Sequence, residues 1–154
     1  MEDSKEKKPY RPCVVGVFIN EKKELLMGLR SDFPVWQFPQ GGVDQGESFE
    51  EALFREMEEE LGCNQFEVLS QTGELLFYDF PKELKAPVTK LFRGQKQRWF
   101  LCRFLAGKVP NLEKATSDEF TAVKWVAPEN VLDSIVIWKK ETYRIALTSL
   151  GILP

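Results

Sequence analysis

The sequence predicts one compact α/β (α+β) domain in which strands and helices form a layered sandwich. A chain of 154 residues is long enough for a single domain with a sizeable core and short for two. Its hydrophobic content of 43% and aromatic content of 12% are typical of a folded globular protein. The predicted strands and helices are mixed without a regular strand–helix–strand alternation, which favours a sandwich with a mixed sheet.

The predicted elements follow the apolar patterns along the chain. Residues 1–9 are expected to be a flexible charged tail, and residues 10–154 the single domain. The expected elements, in chain order, are strands at 13–19 and 24–30, a short extended piece at 36–39, a helix at 49–61, a β-rich stretch at 67–80, a loop at 81–96, strands at 98–105 and 121–127, and one or two helices between 128 and 150.

The helix at 49–61 has recognisable ends. Ser48 and Glu51 have the spacing of a capping box, in which each side chain bonds to the other residue's backbone N–H. Gly62 follows the last helical residue and can adopt the left-handed conformation that ends a helix.

Three glutamates of this helix are expected beside the protein core. On a helical wheel with about 100° per residue, Glu56 and Glu60 lie next to the apolar side that begins at Phe49, and Glu59 lies on the same flank. Carboxylates this close raise one or more of their pKa values unless a cation lies among them. A solvated, metal-free face is the alternative, which the wheel disfavours. Oxygen ligands favour Mg²⁺ or Mn²⁺ over zinc.

Composition excludes several other kinds of protein. The chain has no histidine, which excludes Ser-His-Asp and Cys-His catalysis and histidine general bases. A net charge of −3 gives no general attraction to nucleic acid or to an anionic membrane. No apolar run approaches the roughly 20 residues that a membrane span requires. Three cysteines without C-x-x-C spacing indicate reduced thiols in a cytoplasmic protein.

The segment 41–63 resembles the Nudix box, G-x5-E-x7-R-E-U-x-E-E-x-G-U, where U is a bulky aliphatic residue. The matching positions are Gly41, Glu47, Arg55, Glu56, Met57, Glu59, Glu60 and Gly62, and Cys63 at the last U is a mild departure. The resemblance implies an α/β/α sandwich around a mixed central sheet. It also implies Mg²⁺- or Mn²⁺-dependent hydrolysis of nucleoside diphosphates linked to another group.

Motifs outside the box resemble the bacterial RNA pyrophosphohydrolase branch of that family, which merges with the diadenosine polyphosphate hydrolases. They are YRPCVVGVFIN (10–20), WQFPQGG (36–42), GQKQRWFL (94–101), SDEF (117–120) and WKKETYR (138–144). Cys13 departs from the asparagine that is usual in the branch, which puts the local strand pairing in doubt.

The resemblance implies a role for each matched position. The expected catalytic residues are Glu59, Glu56, Arg55 and Glu119, with Glu59 nearest to water activation. The expected metal ligands are the backbone carbonyl of Gln40 and the carboxylates of Glu56, Glu59, Glu60 and Glu119. The expected substrate-binding residues are Arg11, Arg30, Gly41, Gly42, Tyr78, Lys96, Arg98, Trp138 and Lys139. Without the resemblance, Glu119 is more simply a loop carboxylate, and Tyr78 and Trp138 are more simply packing residues.

The leading hypothesis is a metal-dependent pyrophosphohydrolase that converts 5′-triphosphate RNA to 5′-monophosphate RNA by water attack on the polyphosphate. The alternative is a hydrolase of dinucleoside polyphosphates (diadenosine tetra- or pentaphosphate) or of free nucleoside triphosphates. A binding module that has lost catalysis should lack glutamates of the box, and all are present here. Two or more Mg²⁺ or Mn²⁺ ions are expected with substrate. No membrane and no stable DNA partner is expected, and the protein is expected to be a monomer or homodimer.

Overall fold

The strands of this protein divide between two sheets. The computed structural model describes residues 7–154, and residues 1–6 of the predicted tail lie outside that range. The strands, in chain order, are β1 (Tyr10–Phe18), β2 (Leu25–Arg30), β3 (Trp36–Gln37), β4 (Gln40–Gly42), β5 (Phe66–Gln71), β6 (Leu76–Asp79), β7 (Gly94–Phe104) and β8 (Phe120–Val126). The α-helices are α1 (Phe49–Leu61), α2 (Val88–Leu91), α3 (Pro128–Val131) and α4 (Lys140–Ser149). Short 3-10 turns span Leu112–Lys114 and Ile137–Lys139.

Strand β1 is one of the two internal strands of the larger sheet, and β7 is the other. It pairs antiparallel with β4 on one side and parallel with β7 on the other, and β7 also pairs antiparallel with β5 and β6. The second sheet is antiparallel, with the order β3-β2-β8. The larger sheet is therefore mixed, as the sequence predicts. Cys13 does not disturb it, because this residue pairs regularly with Gly42 and Gln97.

The core lies on both faces of β1. Because successive strand residues point to opposite faces, Val14 packs into the cluster that contains Leu53 and Met57 of α1. Val15 packs into the cluster that contains Leu147 of α4. Burial on both faces explains why β1 is a nearly continuous apolar run. The predicted α/β/α layering is confirmed. None of the helices within residues 7–154 has the length and hydropathy needed to cross a membrane.

Helix α1 has the predicted bounds and caps. The Ser48 hydroxyl accepts from the Glu51 N–H at 3.0 Å, and the Glu51 carboxylate accepts from the Ser48 N–H at 2.9 Å. Gly62 ends the helix with a φ of 68°. A Cβ at this position would lie 2.0 Å from the Asn111 carbonyl oxygen, so both the conformation and the space require glycine.

Two predicted strand starts and one predicted loop were wrong. Strand β1 begins at Tyr10 rather than at residue 13, and β7 begins at Gly94 rather than at residue 98. The segment 81–96, predicted as a loop, also contains α2. The missed starts are polar, and in β7 they include Gln95 and Gln97, which are buried although they carry no apolar signal.

Of the tryptophans expected in the core, only one is fully buried. Trp99 has no exposed surface, whereas Trp36 and Trp125 are half-buried. The Lys124 ammonium of β8 lies 4.1 Å from the centre of the Trp36 ring of β3, so this contact crosses one face of the smaller sheet over β2. Near the start of the described residues, the Lys8 ammonium donates a hydrogen bond to the Thr89 carbonyl at 2.8 Å.

Tyr143 connects α4 to the segment between β3 and β4. Its buried hydroxyl accepts a hydrogen bond from the Phe38 N–H at 3.0 Å. Its ring stacks on Phe38 with centroids 5.0 Å apart and meets Trp99 edge-on at 5.0 Å. These contacts fix the backbone two residues before Gln40.

Replacing Tyr143 with Phe should lower the free energy of unfolding by about 1–3 kcal/mol, because the buried Phe38 N–H loses its acceptor. Urea denaturation measures the change. Tyr10→Phe is the matched control, since the Tyr10 hydroxyl donates to Asp79 at 2.6 Å in a partly exposed position where water can replace it. Equal, small costs for the two variants would contradict this account.

Candidate active site

A cavity of about 580 Å³ opens beside β4 and the carboxylate edge of α1. Most of the predicted site residues line it, namely Arg11, Arg30, Gln40, Gly41, Gly42, Glu56, Glu59, Glu60, Tyr78, Glu119, Trp138 and Lys139. They come from segments that span most of the described chain. The structure therefore brings together groups that the sequence could relate only by resemblance.

Lys96 and Arg98 lie elsewhere. They alternate along β7 with Gln95 and Gln97, so their side chains point to the opposite face of the sheet, towards α1. There the Arg98 guanidinium lies 5.2 Å from the centre of the Phe49 ring. Neither residue lines the cavity, and their role in phosphate binding stays a prediction.

Arg55 organises the carboxylates of the site. Its Nε and Nη2 donate to both oxygens of Glu47 at 2.8 and 2.9 Å, and Nη2 also donates to the Gly42 carbonyl at 2.8 Å. Its Nη1 donates to Glu56 at 2.8 Å and to Glu59 at 3.2 Å. The hydrogen bonds from Arg55 lower the pKa of Glu47 to about 2. The guanidinium thus joins the loop before α1 to two of the predicted metal ligands.

The partners of Arg55 are not simply those that helical spacing indicates. Glu51 and Glu59 both lie four residues from it, but Glu51 is used in the capping box and only Glu59 is in contact. The bidentate partner is Glu47, eight residues away and outside the helix. Glu47 and Arg55 both belong to the box motif, and this is the sequence signal from which the pair could have been predicted.

Glu60 is a buried carboxylate with other carboxylates nearby. It is 4% exposed, and its Oε1 accepts a hydrogen bond from the Gln40 N–H at 3.3 Å. Burial raises its pKa well above the ordinary value, and the charges of Glu119 and Glu56 raise it further. Burial also raises the pKa of Glu56, although Arg55 opposes this. The rise that the helical wheel predicted for this edge is therefore found at both residues.

The glycine at position 41 allows a carboxylate to approach the backbone. A Cβ at Gly41 would lie 2.0 Å from the carboxylate of Glu56. In the same way, a Cβ at Gly42 would lie 2.5 Å from the Arg11 guanidinium. The glycine pair thus leaves room for one acidic and one basic group at the edge strand β4.

The carboxylates at the edge of α1 are chemically suited to bind a hard divalent cation. Within residues 7–154, no three acidic or thiol side chains already converge on one point, and Arg55 bonds to Glu56 and Glu59. The carboxylates of α1 nevertheless offer only oxygen ligands. The burial of Glu60 beside Glu56 favours a cation between the two side chains. Mg²⁺ and Mn²⁺ prefer such donors.

Cationic side chains line the same cavity. The Lys139 side chain is buried, and its Nζ donates to the Gln37 Oε1 at 3.2 Å. Arg30 donates to the same oxygen at 3.3 Å and forms an ion pair with Asp32. Burial lowers the pKa of Lys139 to about 8, and the charge of Arg30 contributes to the decrease. Sequence reasoning missed Gln37, although it lies within the WQFPQGG motif.

Two aromatic rings complete the lining. Tyr78 and Trp138 lie with centroids 5.5 Å apart and planes inclined by 54°. They pack on each other and also line the cavity, so the packing and site interpretations are compatible. Other lining residues that sequence reasoning missed come from the segment before β3, including Asp32 and Phe33, and from the segment before α2, including Leu84. Carboxylates, cations and aromatic faces in one cavity can hold a divalent cation, a polyphosphate and a nucleobase.

Comparison with known proteins agrees with this geometry. The NUDIX domain family model matches residues 9–145. An RNA pyrophosphohydrolase of Wolbachia pipientis subsp. Culex pipiens (strain wPip) is 38% identical over 143 residues, which cover 90% of this chain and 88% of the relative. An RNA pyrophosphohydrolase of Sulfurovum sp. (strain NBC37-1) is 39% identical over 143 residues, with 90% of each chain covered.

Solved structures share the fold. The E. coli dihydroneopterin triphosphate pyrophosphohydrolase superposes with a TM-score of 0.67 at 20% identity, covering 92% of this chain and 99% of the other. A C. elegans Ap4A hydrolase binary complex has a TM-score of 0.63 at 22% identity, covering 90% and 98%. At these identities the likeness concerns the fold alone. Together with the box motif and the relatives that share more than a third of its residues, the family match shows that this chain belongs to the NUDIX family of hydrolases.

Proposed function

We propose that this protein is a metal-dependent pyrophosphohydrolase that converts 5′-triphosphate RNA to 5′-monophosphate RNA. The observation that carries the proposal is that Glu56, Glu59 and Glu60 line one cavity with Arg30 and Lys139. The relatives named RNA pyrophosphohydrolase support the choice of substrate. A cytoplasmic location and a monomeric or homodimeric state stay predictions.

NUDIX hydrolases generally need divalent metal ions. We assign Mg²⁺ or Mn²⁺ here to the carbonyl of Gln40 and the carboxylates of Glu56, Glu59, Glu60 and Glu119. When bound, such ions screen polyphosphate oxygens and lower the pKa of water. Raised pKa values at Glu56 and Glu60 support the assignment, because a cation between the two would favour their charged forms.

Each side chain of the site has a task in this proposal. Arg30 and Lys139 neutralise phosphate charge, and Arg55 holds Glu56 and Glu59 in place. Glu59 is the candidate to accept a proton from the attacking water. Its side chain is 41% exposed, and the contact from Arg55 uses only Oε2, which leaves Oε1 available. An in-line attack on the polyphosphate then needs positioning more than covalent participation.

Hydrolysis of dinucleoside polyphosphates is the second candidate. It would use the same carboxylates and cations, and the aromatic pair of Tyr78 and Trp138 offers a face for an adenine. A fold neighbour named Ap4A hydrolase is consistent with it. The names of the more similar relatives favour RNA.

A steady-state comparison at equal Mg²⁺ tests the choice of substrate. We expect kcat/KM to be highest for 5′-triphosphate RNA, lower for diadenosine tetraphosphate and lowest for free nucleoside triphosphates. EDTA should abolish release of phosphate and pyrophosphate from all three. A clear preference for the diadenosine compound would transfer the assignment to the second candidate.

Replacing Gly41 with Ala should lower activity without unfolding the protein. The new Cβ would occupy the position of the Glu56 carboxylate, which is the mobile end of a side chain and can move aside. We expect kcat/KM to fall by about 100-fold, as for a displacement of catalytic groups by about 1 Å, and the calorimetric affinity for Mn²⁺ to fall too.

Gly73→Ala is the matched control for this prediction. A Cβ at Gly73 meets nothing within 4 Å, so the variant should keep both activity and Mn²⁺ affinity. Normal Mn²⁺ binding by Gly41→Ala would show that Glu56 does not need its present position.

The charge of Lys139 should give the enzyme a pH dependence. With a pKa of about 8, its ammonium is charged below this pH and loses its proton above it, so its attraction for phosphate decreases as pH rises. Because kcat/KM reports the free enzyme, the ratio of kcat/KM between wild type and Lys139→Met should be high at pH 7 and fall towards one above pH 8. The ratio cancels titrations that both proteins share, and a ratio that stays constant from pH 6 to 10 would refute the prediction.

A further inference from the structure

Gln37 is a buried polar residue in the wall of the cavity. It ends β3, where it pairs with Gly28, and its side chain lines the cavity although the residue is only 2% exposed. Neither the box motif nor the proposed mechanism uses it. A buried glutamine brings two donors and one acceptor into the protein, and each needs a partner.

The orientation of the Gln37 amide follows from its neighbours. Its Oε1 accepts hydrogen bonds from the Arg30 Nη1 at 3.3 Å and from the Lys139 Nζ at 3.2 Å. The reversed orientation would place the NH₂ group against two cations that have only donors to offer. Nε2 is therefore on the other side of the amide, where it is buried and has no hydrogen-bond partner within residues 7–154.

The charge around this amide is unbalanced. Arg30 forms an ion pair with Asp32, whereas the Lys139 ammonium forms no ion pair within residues 7–154, although the charges of Glu119 and Asp32 act on it from a greater distance. Lys139 is 6% exposed, so water compensates its charge poorly. A free N–H donor beside a buried, unpaired cation is the pattern expected of a site for an anionic oxygen.

We propose that Gln37 is a substrate-binding residue whose Nε2 donates a hydrogen bond to a phosphate oxygen held beside Lys139 and Arg30. The inference rests on the proposed function and extends it by one residue. The oxygen can belong to the 5′ polyphosphate or to the first phosphodiester of the RNA, since the two groups offer the same acceptor. Gln37 also keeps the two cations in place through its Oε1, and the side-chain amide resonance of the wild-type protein separates this task from phosphate binding.

Two substitutions test whether Gln37 contributes to binding. Gln37→Glu keeps an oxygen for Arg30 and Lys139 but replaces the donor with a second oxygen, which repels phosphate. Gln37→Met has a similar volume and removes both the donor and the oxygen that holds the two cations, without adding charge. If Nε2 binds phosphate, both variants should lose affinity, by about 10-fold or more as is usual for a hydrogen bond to a charged group. If only charge matters, Gln37→Glu alone should lose it, and the proposal is then overturned.

Calorimetric titration in Mg²⁺ with two probes identifies the source of the phosphate. The probes are a nucleoside triphosphate with a methylene group between the β and γ phosphates and a trinucleotide RNA with a 5′ monophosphate. Loss of affinity for both probes, or for the triphosphate alone, assigns the oxygen to the 5′ phosphates. Loss for the RNA alone assigns it to the phosphodiester. Binding of both probes within about twofold of wild type by both variants overturns the proposal.

Controls keep the result interpretable. Gln65→Glu makes the same charge change at an exposed residue outside the cavity and should bind both probes as wild type does. Weaker binding by both variants would also follow from displaced cations, so the ¹⁵N resonance of the Gln37 side-chain amide in the wild-type protein decides between the two tasks, and it decides alone if neither variant folds. The resonance must shift when a probe saturates the site if Nε2 donates to phosphate, and an unchanged resonance overturns the proposal. A wild type that binds the probes but does not hydrolyse triphosphate RNA would refute the proposed function and leave this subsite standing.

Discussion

Negative charge at the buried edge of α1 is the constraint on which the site depends. Glu60 and Glu56 lie where the protein excludes water, and their pKa values are raised because no full compensation is present. Arg55 compensates part of this charge and at the same time binds the loop that precedes the helix. The glycine at position 41 and the capped start of α1 are the local features that make this crowded arrangement possible.

The capping residues explain why α1 could be predicted to the residue, whereas the strands could not. A helix start has its own short-range chemistry, and the position of Glu60 beside the core follows from the helical period alone. The first residues of β1 and β7 include Arg11 and Gln95, which line the cavity, and these polar side chains lack the apolar signal of a strand. Lys96 was placed at the site by motif, but the side to which it points depends on a strand register that the sequence does not reveal.

The cavity also shows why an acidic protein can be suited to a polyanion. The net charge of −3 describes the whole chain, whereas Arg11, Arg30 and Lys139 concentrate positive charge in one place. Buried or half-buried charges act over short distances with little screening, so their local arrangement outweighs the average. The acidic edge of α1 then becomes compatible with phosphate once a divalent cation lies between them.

The parallel pairing of β1 with β7 has a consequence for the order in which this protein can be assembled. Tyr10 of β1 pairs with Gly94 of β7, so β1 cannot pair with β7 until more than half of the chain has been synthesised. Contacts between such distant segments form slowly because closing the long intervening loop costs entropy before the contacts compensate for it. On a ribosome, helix α1 is made early, whereas Trp138 and Lys139 emerge long afterwards. A growing chain therefore contains the glutamates of α1 before the cavity is complete. Any hydrolysis in this cavity requires that the late residues have been added and have folded against the rest of the chain.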